Sequence, residues 1–285
     1  MALRFAVLPS RSVIRVSGEE AKTFLQGLIS NDIEKIGERS AIFAALLSAQ
    51  GKIQFDFIVL SDHHGGYLLD IEASRRDELI RKLKLYRLRA KVAIEPVVMD
   101  IVAVFGDRTN AQLPKPPLMI DDPRHAQLGL RAYGQSDDLR AELLVSSAIE
   151  ASEDGYDADR IALGVPQGAS ELGIEKLFLL EANAEELHGV DFKKGCYVGQ
   201  ELTSRMKRKA ELKKRLLPFH VSSGPAPDAH VTADGRELGN VVGGRSGIAF
   251  ALVRLDRLAE ANHATIKIGD TPAVLAVPAY LASVL

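Results

Sequence analysis

From Leu216 onward the texture of this chain changes to short apolar runs separated by Gly, Pro and Asp. The runs are Leu216 to Val221, Glu237 to Val242, Ile248 to Val253, Thr265 to Ile268 and Val274 to Val277. Segments this short cannot bury a helical face, but they suit strands joined by tight turns. A small antiparallel β-barrel or sandwich is therefore expected over residues 216–285.

Upstream the pattern is mixed. Ser12 to Val16 is β-rich, and Ser17 and Glu20 stand at capping-box spacing before a helix carrying Ala21, Phe24, Leu25, Leu28 and Ile29. That helix is predicted to end near Ser30, with Asn31-Asp32 as its stop. Ala41 to Leu47 and Ile53 to Leu60 read as a hairpin about Gln50-Gly51-Lys52, and Tyr67 to Ile71 as a third strand. Leu79, Ile80, Leu83 and Tyr86 line one face of a second helix whose other positions are charged. Strand character returns at Ala90 to Ile94 and Val97 to Phe105. This order suits ferredoxin-like α+β layers, not a parallel doubly wound sheet. Asn110 to Asp122 holds Pro114, Pro116 and Pro117, with Pro123 just beyond, and reads as an extended connection. Residues 136–163 read as partly helical. We divide the chain into a first α+β region (1–95), a second (96–215) that intermeshes with it, and the barrel (216–285).

Composition excludes several classes of function. The chain has 36 basic and 38 acidic side chains among 285 residues, so no global field favours nucleic acid or an acidic membrane. No stretch approaches the ~20 apolar residues of a membrane span. A lone cysteine forms no intrachain disulfide and fits a reducing compartment. Met1 to Pro9 carries no signal-peptide run, so the expected location is cytoplasmic. His63-His64 are adjacent, lacking the i,i+4 spacing of a metal pair, and no resident metal is expected.

The chemistry concentrates in Lys194-Gly195-Cys196-Tyr197-Val198-Gly199-Gln200-Glu201. A lysine two residues from a thiol can hold it as thiolate, the nucleophilic and metal-binding form. The alternative is a small buried hydrophobe beside a glycine turn. Tyr197 either stacks on a flat ligand or fills core, and Gln200 and Glu201 either read a polar ligand edge or cap the next helix. Arg205, Lys207, Arg208, Lys209, Lys213, Lys214 and Arg215 face one acid, Glu211. This run is a solvated face, a strip for an anionic tail, or an RNA contact. Without interleaved aromatic residues the RNA reading is poorly supported.

This octapeptide resembles the signature Lys-Gly-Cys-Tyr-x-Gly-Gln-Glu of the YgfZ family, folate-binding relatives of the glycine-cleavage T-protein tied to iron–sulfur cluster assembly or repair. Gly18 with Phe24 to Asp32, Gly51-Lys52-Ile53, Tyr86 to Val92, Arg160 to Pro166 and Leu238 to Val241 resemble other segments of that family, in its order. The resemblance implies two interlocked α+β domains and a C-terminal barrel around a folate channel. It implies tetrahydrofolate as ligand, Cys196 and Lys194 as acting residues, and Asn31, Asp32, Tyr197, Gln200, Glu201 and Arg205 at the folate side. Iron–sulfur assembly proteins and client [4Fe–4S] enzymes are the implied partners. Where T-proteins carry paired acids in the second hairpin strand, this chain has Phe55-Asp56, so folate-dependent aminomethyl transfer is the alternative activity. A lone strand Asp is expected on a solvent face. One thiol shares a cluster but cannot hold one, since clusters take four ligands.

Overall fold

Two consecutive strands that enter different sheets set the architecture. β1 (Leu3–Val7) and β2 (Arg11–Ser17) are separated by Leu8-Pro9-Ser10, yet β1 joins one five-stranded sheet and β2 the other. The computed structural model describes residues 2–283 except 38–39, 110–112, 115, 117, 209–211, 223, 225, 246 and 262–263. Asn110 and Pro117 of the proline-rich connection, and Lys209 and Glu211 of the cationic run, lie outside the described residues.

The first sheet adds β3 (Ala41–Leu47), β4 (Ile53–Ser61), β5 (Tyr67–Glu72) and β6 (Ala93–Val97) in the antiparallel order β3-β4-β5-β2-β6. Helices α1 (Ala21–Gln26) and α2 (Arg76–Arg87) cover one face, burying Leu25, Leu79, Ile80 and Leu83. Helix α1 stops short of Ser30 because Ile29 bridges to Leu46 and Ser30 N–H donates to Ala45 O, so the strand edge takes over the backbone. The capping box does not form either: the Glu20 carboxylate accepts from Lys91 N–H instead (2.7 Å).

The second sheet combines β7 (Asp100–Gly106), β8 (Met119–Asp121), β9 (Leu130–Gly134) and β10 (Ile149–Glu150) with β1, in the order β10-β1-β7-β9-β8. Helices α3 (Ser136–Val145) and α4 (Glu153–Ala162) follow, and the Ser152 hydroxyl caps α4 by accepting from Gly155 N–H. The sheets face each other across a core that mixes Val13, Ile58 and Leu68 from the first with Ile101, Phe105 and Tyr133 from the second. Ion pairs lie within this junction. Asp70 accepts from Arg11 (2.7 Å) and Arg131 (2.6 Å), and Asp122 from Arg131 (3.0 Å) and Arg124 (2.7 Å). Tyr133, Tyr156 and Gln167 take remaining bonds. Burial pushes Asp70 and Asp122 upward, but the guanidiniums overcome it and hold both below the usual carboxylate range.

The expected barrel is closed and six-stranded: β11 (Lys214–Val221), β12 (His230–Ala233), β13 (Arg236–Arg245), β14 (Ile248–Arg254), β15 (Ile266–Ile268) and β16 (Thr271–Leu275). It seats on the short α5 (Ala169–Leu172), where a Cβ on Gly243 would lie 1.9 Å from Ser170 O. Arg245 bonds Asp157 (2.7 Å) and Glu171 (3.2 Å), tying the barrel to the buried Arg160–Glu171 pair. The molecule is thus an α+β protein with a C-terminal antiparallel barrel. No described helix is long and apolar enough to cross a membrane.

Candidate functional site

Between α5 and α6 (Gln200–Arg208) the chain runs without a helix or multi-residue strand, so its backbone groups need other partners. The segment that follows α1 supplies them. Asp191 N–H donates to Ser30 O (3.1 Å) and Val198 N–H to Gly27 O (3.2 Å). The Ser30 hydroxyl donates to Gly189 O (2.6 Å), and Asn31 Nδ2 to both His188 O (2.7 Å) and Phe43 O (2.8 Å). Asn31 is therefore a buried clip between loop and sheet. Asp32 turns the other way, accepting from Gln26 Nε2 (2.8 Å) and Glu34 N–H (3.1 Å).

Lys194 completes the clamp. Its ammonium donates to Gln26 O (2.7 Å), Ile29 O (2.5 Å) and Asn31 O (2.9 Å), and lies 4.9 Å from the Tyr197 ring centroid. An ammonium has three N–H donors, and three carbonyls left open past the end of α1 take them. Burial lowers this lysine to about 8 against the pull of Asp32 and Asp191. All its donors are committed to backbone, so Lys194 acts on Cys196 by fixing the loop that carries it.

The thiol stands on the outer side of that clamp. Cys196 is exposed, whereas Tyr197 next to it is buried with Leu177, Leu179 and Phe250 and fills core. The two signature glycines behave differently. Gly199 takes φ +79° and packs against the hairpin turn, where a Cβ would meet Ser48 O at 2.5 Å and Gly51 Cα at 3.1 Å. Gly195 has no such φ, and a Cβ there would meet nothing within 4 Å. Gln200 accepts from Tyr197 N–H (3.2 Å) at the start of α6, a helix-entry contact. Glu201 and Arg205 are exposed along α6.

The rest of the cationic run divides. Lys207 pairs with Glu185 and covers the Phe192 ring at 5.3 Å, drawing α6 against the loop. Arg215 is buried, bonded to Glu186 (2.7 Å) and Asn183 (3.0 Å). It belongs to the interior and not to a surface strip.

Asp56 is not on a solvent face. It lies buried behind the loop, accepting from Gly168 N–H (3.2 Å), because β4 is covered on both sides. Burial raises its carboxyl, against Arg11, the Gly168 N–H and Arg124. Asp56 lines an apolar cavity with Phe43, Ile53, Leu172 and Leu187, of only about 10 Å³. That is room for one water molecule, against roughly 300 Å³ or more in a ligand pocket. The walls do not fit a pteridine as they stand. Of the residues expected at a folate side, Asn31, Tyr197 and Gln200 are committed to the chain's own contacts, and none lines this cavity. Among the described residues no group of three or more His, Cys, Asp or Glu is placed to hold a metal ion.

The signals for the bonds of Asp70 to Arg11 and Arg131 and for the burial of Asp56 were missing locally, because their partners lie far away in the chain. Arg131 and Asp70 are 61 positions apart.

Comparison with known proteins defines the class first. The fold is that of the glycine cleavage system aminomethyltransferase T from Bartonella henselae: TM-score 0.77 over 96% of this chain and 84% of that one, at 14% identity. Residues 213–283 match the CAF17 C-terminal beta-barrel domain. At higher similarity stands the human iron–sulfur cluster assembly factor IBA57, 31% identical over 283 residues, 90% of this chain and 79% of that protein. The homologue from Mycosarcoma maydis is 32% identical over 244 residues, 79% of this chain, which spans 59% of that relative's length. The chain belongs to the IBA57 family of iron–sulfur cluster assembly factors. These relatives are named as mitochondrial, which corrects the cytoplasmic expectation. Charge balance and a single thiol fit any reducing compartment, so they carried no information on which one.

Proposed function

We propose that this chain acts in iron–sulfur cluster assembly by lending the Cys196 thiolate as one ligand to a cluster whose remaining ligands lie outside the chain. The cluster then passes to assembly proteins or client [4Fe–4S] enzymes. The observation that carries this reading is that the sole cysteine is exposed on a loop clamped by Lys194, Asn31 and two backbone bonds. A cluster needs four ligands and the chain offers one thiol, so sharing is the chemistry that remains. The full YgfZ-type signature at Lys194 to Glu201 supports the same reading. In cells lacking the chain, wild type should restore [4Fe–4S] enzyme activity and Cys196→Ala should not, with equal thermal unfolding in vitro. Equal rescue by both would end the proposal.

A second reading rests on Asp56. A buried carboxyl with a raised pKa suits a general base, as in a folate-dependent aminomethyl transferase. It requires the Phe43 and Leu172 walls to part so that tetrahydrofolate enters. Turnover of an aminomethyl donor with tetrahydrofolate, lost in Asp56→Asn, would support it. Absence of tetrahydrofolate binding in a titration of the purified protein removes it.

A further inference from the structure

The chain is nearly neutral as a whole, but α2 and the turn that follows it are not. From Leu79 to Val92 there are six cations, Arg81, Lys82, Lys84, Arg87, Arg89 and Lys91, and no acid. Among the described residues only Lys91 of the six forms an ion pair, with Glu19 (2.7 Å). Asp77 and Glu78 in the first turn are taken by Arg76 and Arg75. Leu79, Ile80 and Leu83 face the sheet, so Arg81, Lys84 and Leu85, at i, i+3 and i+4, share the outer stripe. Two leucines stand in this field without cover: Leu85 is 73% exposed and Leu88, where the helix ends, 85%. Leu88 has φ +48° and ψ −108°, and Ala90 N–H donates to Arg87 O (2.8 Å), the geometry of a type II′ turn with Leu88 at its first central position. Glycine takes that position without strain, and a bulky side chain there is costly. The fold thus holds a leucine on a strained backbone and leaves its side chain in water.

We propose that the outer face of α2 and its terminal turn dock this protein peripherally on an anionic phospholipid surface. The proposal is independent of the reading of Cys196. The cations supply the attraction, because an anionic leaflet draws Lys and Arg that come within a Debye length of it. Leu85 and Leu88 supply the anchor. Their short apolar tips pass between headgroups, while Arg81, Lys84 and Arg89 lay their stems alongside and keep their charged ends at the phosphates. A nucleic acid or a free polyanion matches the charge but gains nothing from two leucines. A protein partner needs a pocket shaped for each tip, whereas a fluid interface takes both as they stand. Docking of this kind requires no membrane-spanning segment.

The test is flotation of the full-length protein with vesicles of phosphatidylcholine and phosphatidylglycerol in equal parts, set against pure phosphatidylcholine. Wild type should float with the acidic vesicles only, and less as salt rises. Arg81→Glu/Lys84→Glu should weaken binding about twentyfold or more, at about fivefold for each cation removed. Lys213→Glu/Arg236→Glu, exposed at the barrel, should keep it despite the same change in net charge. Leu88→Gly relieves the turn, so the melting temperature should hold or rise while vesicle binding falls. Leu85→Ser/Leu88→Gly should lose about tenfold or more in binding. Stability and binding moving in opposite directions is a result that a structural role for Leu88 cannot give. No binding to acidic vesicles at low salt overturns the proposal, as does equal binding to pure phosphatidylcholine. Binding lost on charge reversal but untouched by Leu85→Ser/Leu88→Gly marks a site for a soluble polyanion or an acidic protein and also overturns it. A lower melting temperature in Leu88→Gly means that the fold itself requires the leucine, which overturns its role as anchor.

Discussion

The junction of the two sheets and the loop that carries Cys196 both bury positive charge, and they satisfy it in opposite ways. At the junction Arg11 and Arg131 are bonded to the Asp70 carboxylate and Arg131 to the Tyr156 phenol, all from distant segments, while Arg124 joins neighbouring Asp122 to distant Tyr156 and Gln167. In the loop the Lys194 ammonium is bonded to backbone carbonyls alone. A side-chain network requires its distant segments to meet, so it specifies how the two sheets interlock. A backbone clamp specifies only where one short segment lies, and here that segment presents the thiol. The fold thus depends most on the first device and, on the proposed role of Cys196, the function on the second, which separate experiments on each can test.

The largest effect is expected from the junction. Arg131→Met leaves Asp70 and Asp122 buried with one cationic partner fewer, at a cost of about 3–5 kcal/mol in denaturant unfolding. The same network sets the acid limit. Asp70 and Asp122 titrate below their unfolded values near 3.8, so their contribution is present above that pH and is lost as pH falls through the lower folded values. Wild type should therefore lose stability steeply below about pH 4, and Arg131→Met should show a shallower fall there.

Next in size stands Gly199→Ala. The added Cβ meets Ser48 O at 2.5 Å in a backbone with positive φ, so the loop must separate from the hairpin turn. Strain of this kind costs about 1–3 kcal/mol. The loop displacement should reduce cluster exchange at Cys196 more than the stability loss alone explains.

These two regions also differ in how legible they were from sequence. Helix α2 was readable because Leu79, Ile80 and Leu83 bury one face at a 3.6-residue period. The β3–β4 hairpin was readable because a glycine turn separates two apolar runs. In the barrel β12 escaped notice, since His230–Ala233 alternates too briefly to stand out from its polar flanks. The exchange of β1 and β2 between sheets leaves no local mark, nor does the burial of Asp56, which needs β4 to be covered on both faces. In the signature, residue types announced chemistry, but identical types carry different duties. Lys194 and Tyr197 are structural, Gly199 is steric, and Gly195 is free of both constraints.

Lys194→Met should fall below Gly199→Ala in its effect on the fold and act on the loop. Three carbonyls lose a charged donor, for about 1–3 kcal/mol of local stability, read as faster amide exchange at Asp191 and Val198. Arginine should not rescue it, because a planar fork cannot converge on three carbonyls set for an ammonium. Its pH dependence has a definite sign. The folded protein releases this proton near 8 and the unfolded chain near 10.5, so between those values the unfolded chain binds more protons. Stability of wild type relative to Lys194→Met should then rise across that window.

The smallest effect separates the two signature glycines most sharply. Gly195→Ala adds a methyl group to open space at a backbone conformation that any residue adopts. Removing unfolded-state freedom at such a site stabilises by about 0.4–1 kcal/mol, so the melting temperature should hold or rise slightly. Cluster exchange at Cys196 should nevertheless slow, because the methyl group fills open space one residue before the thiol. A destabilised Gly195→Ala would place this glycine with Gly199 among the residues the fold requires. An unchanged exchange rate would mean that the open space beside Cys196 serves no incoming ligand.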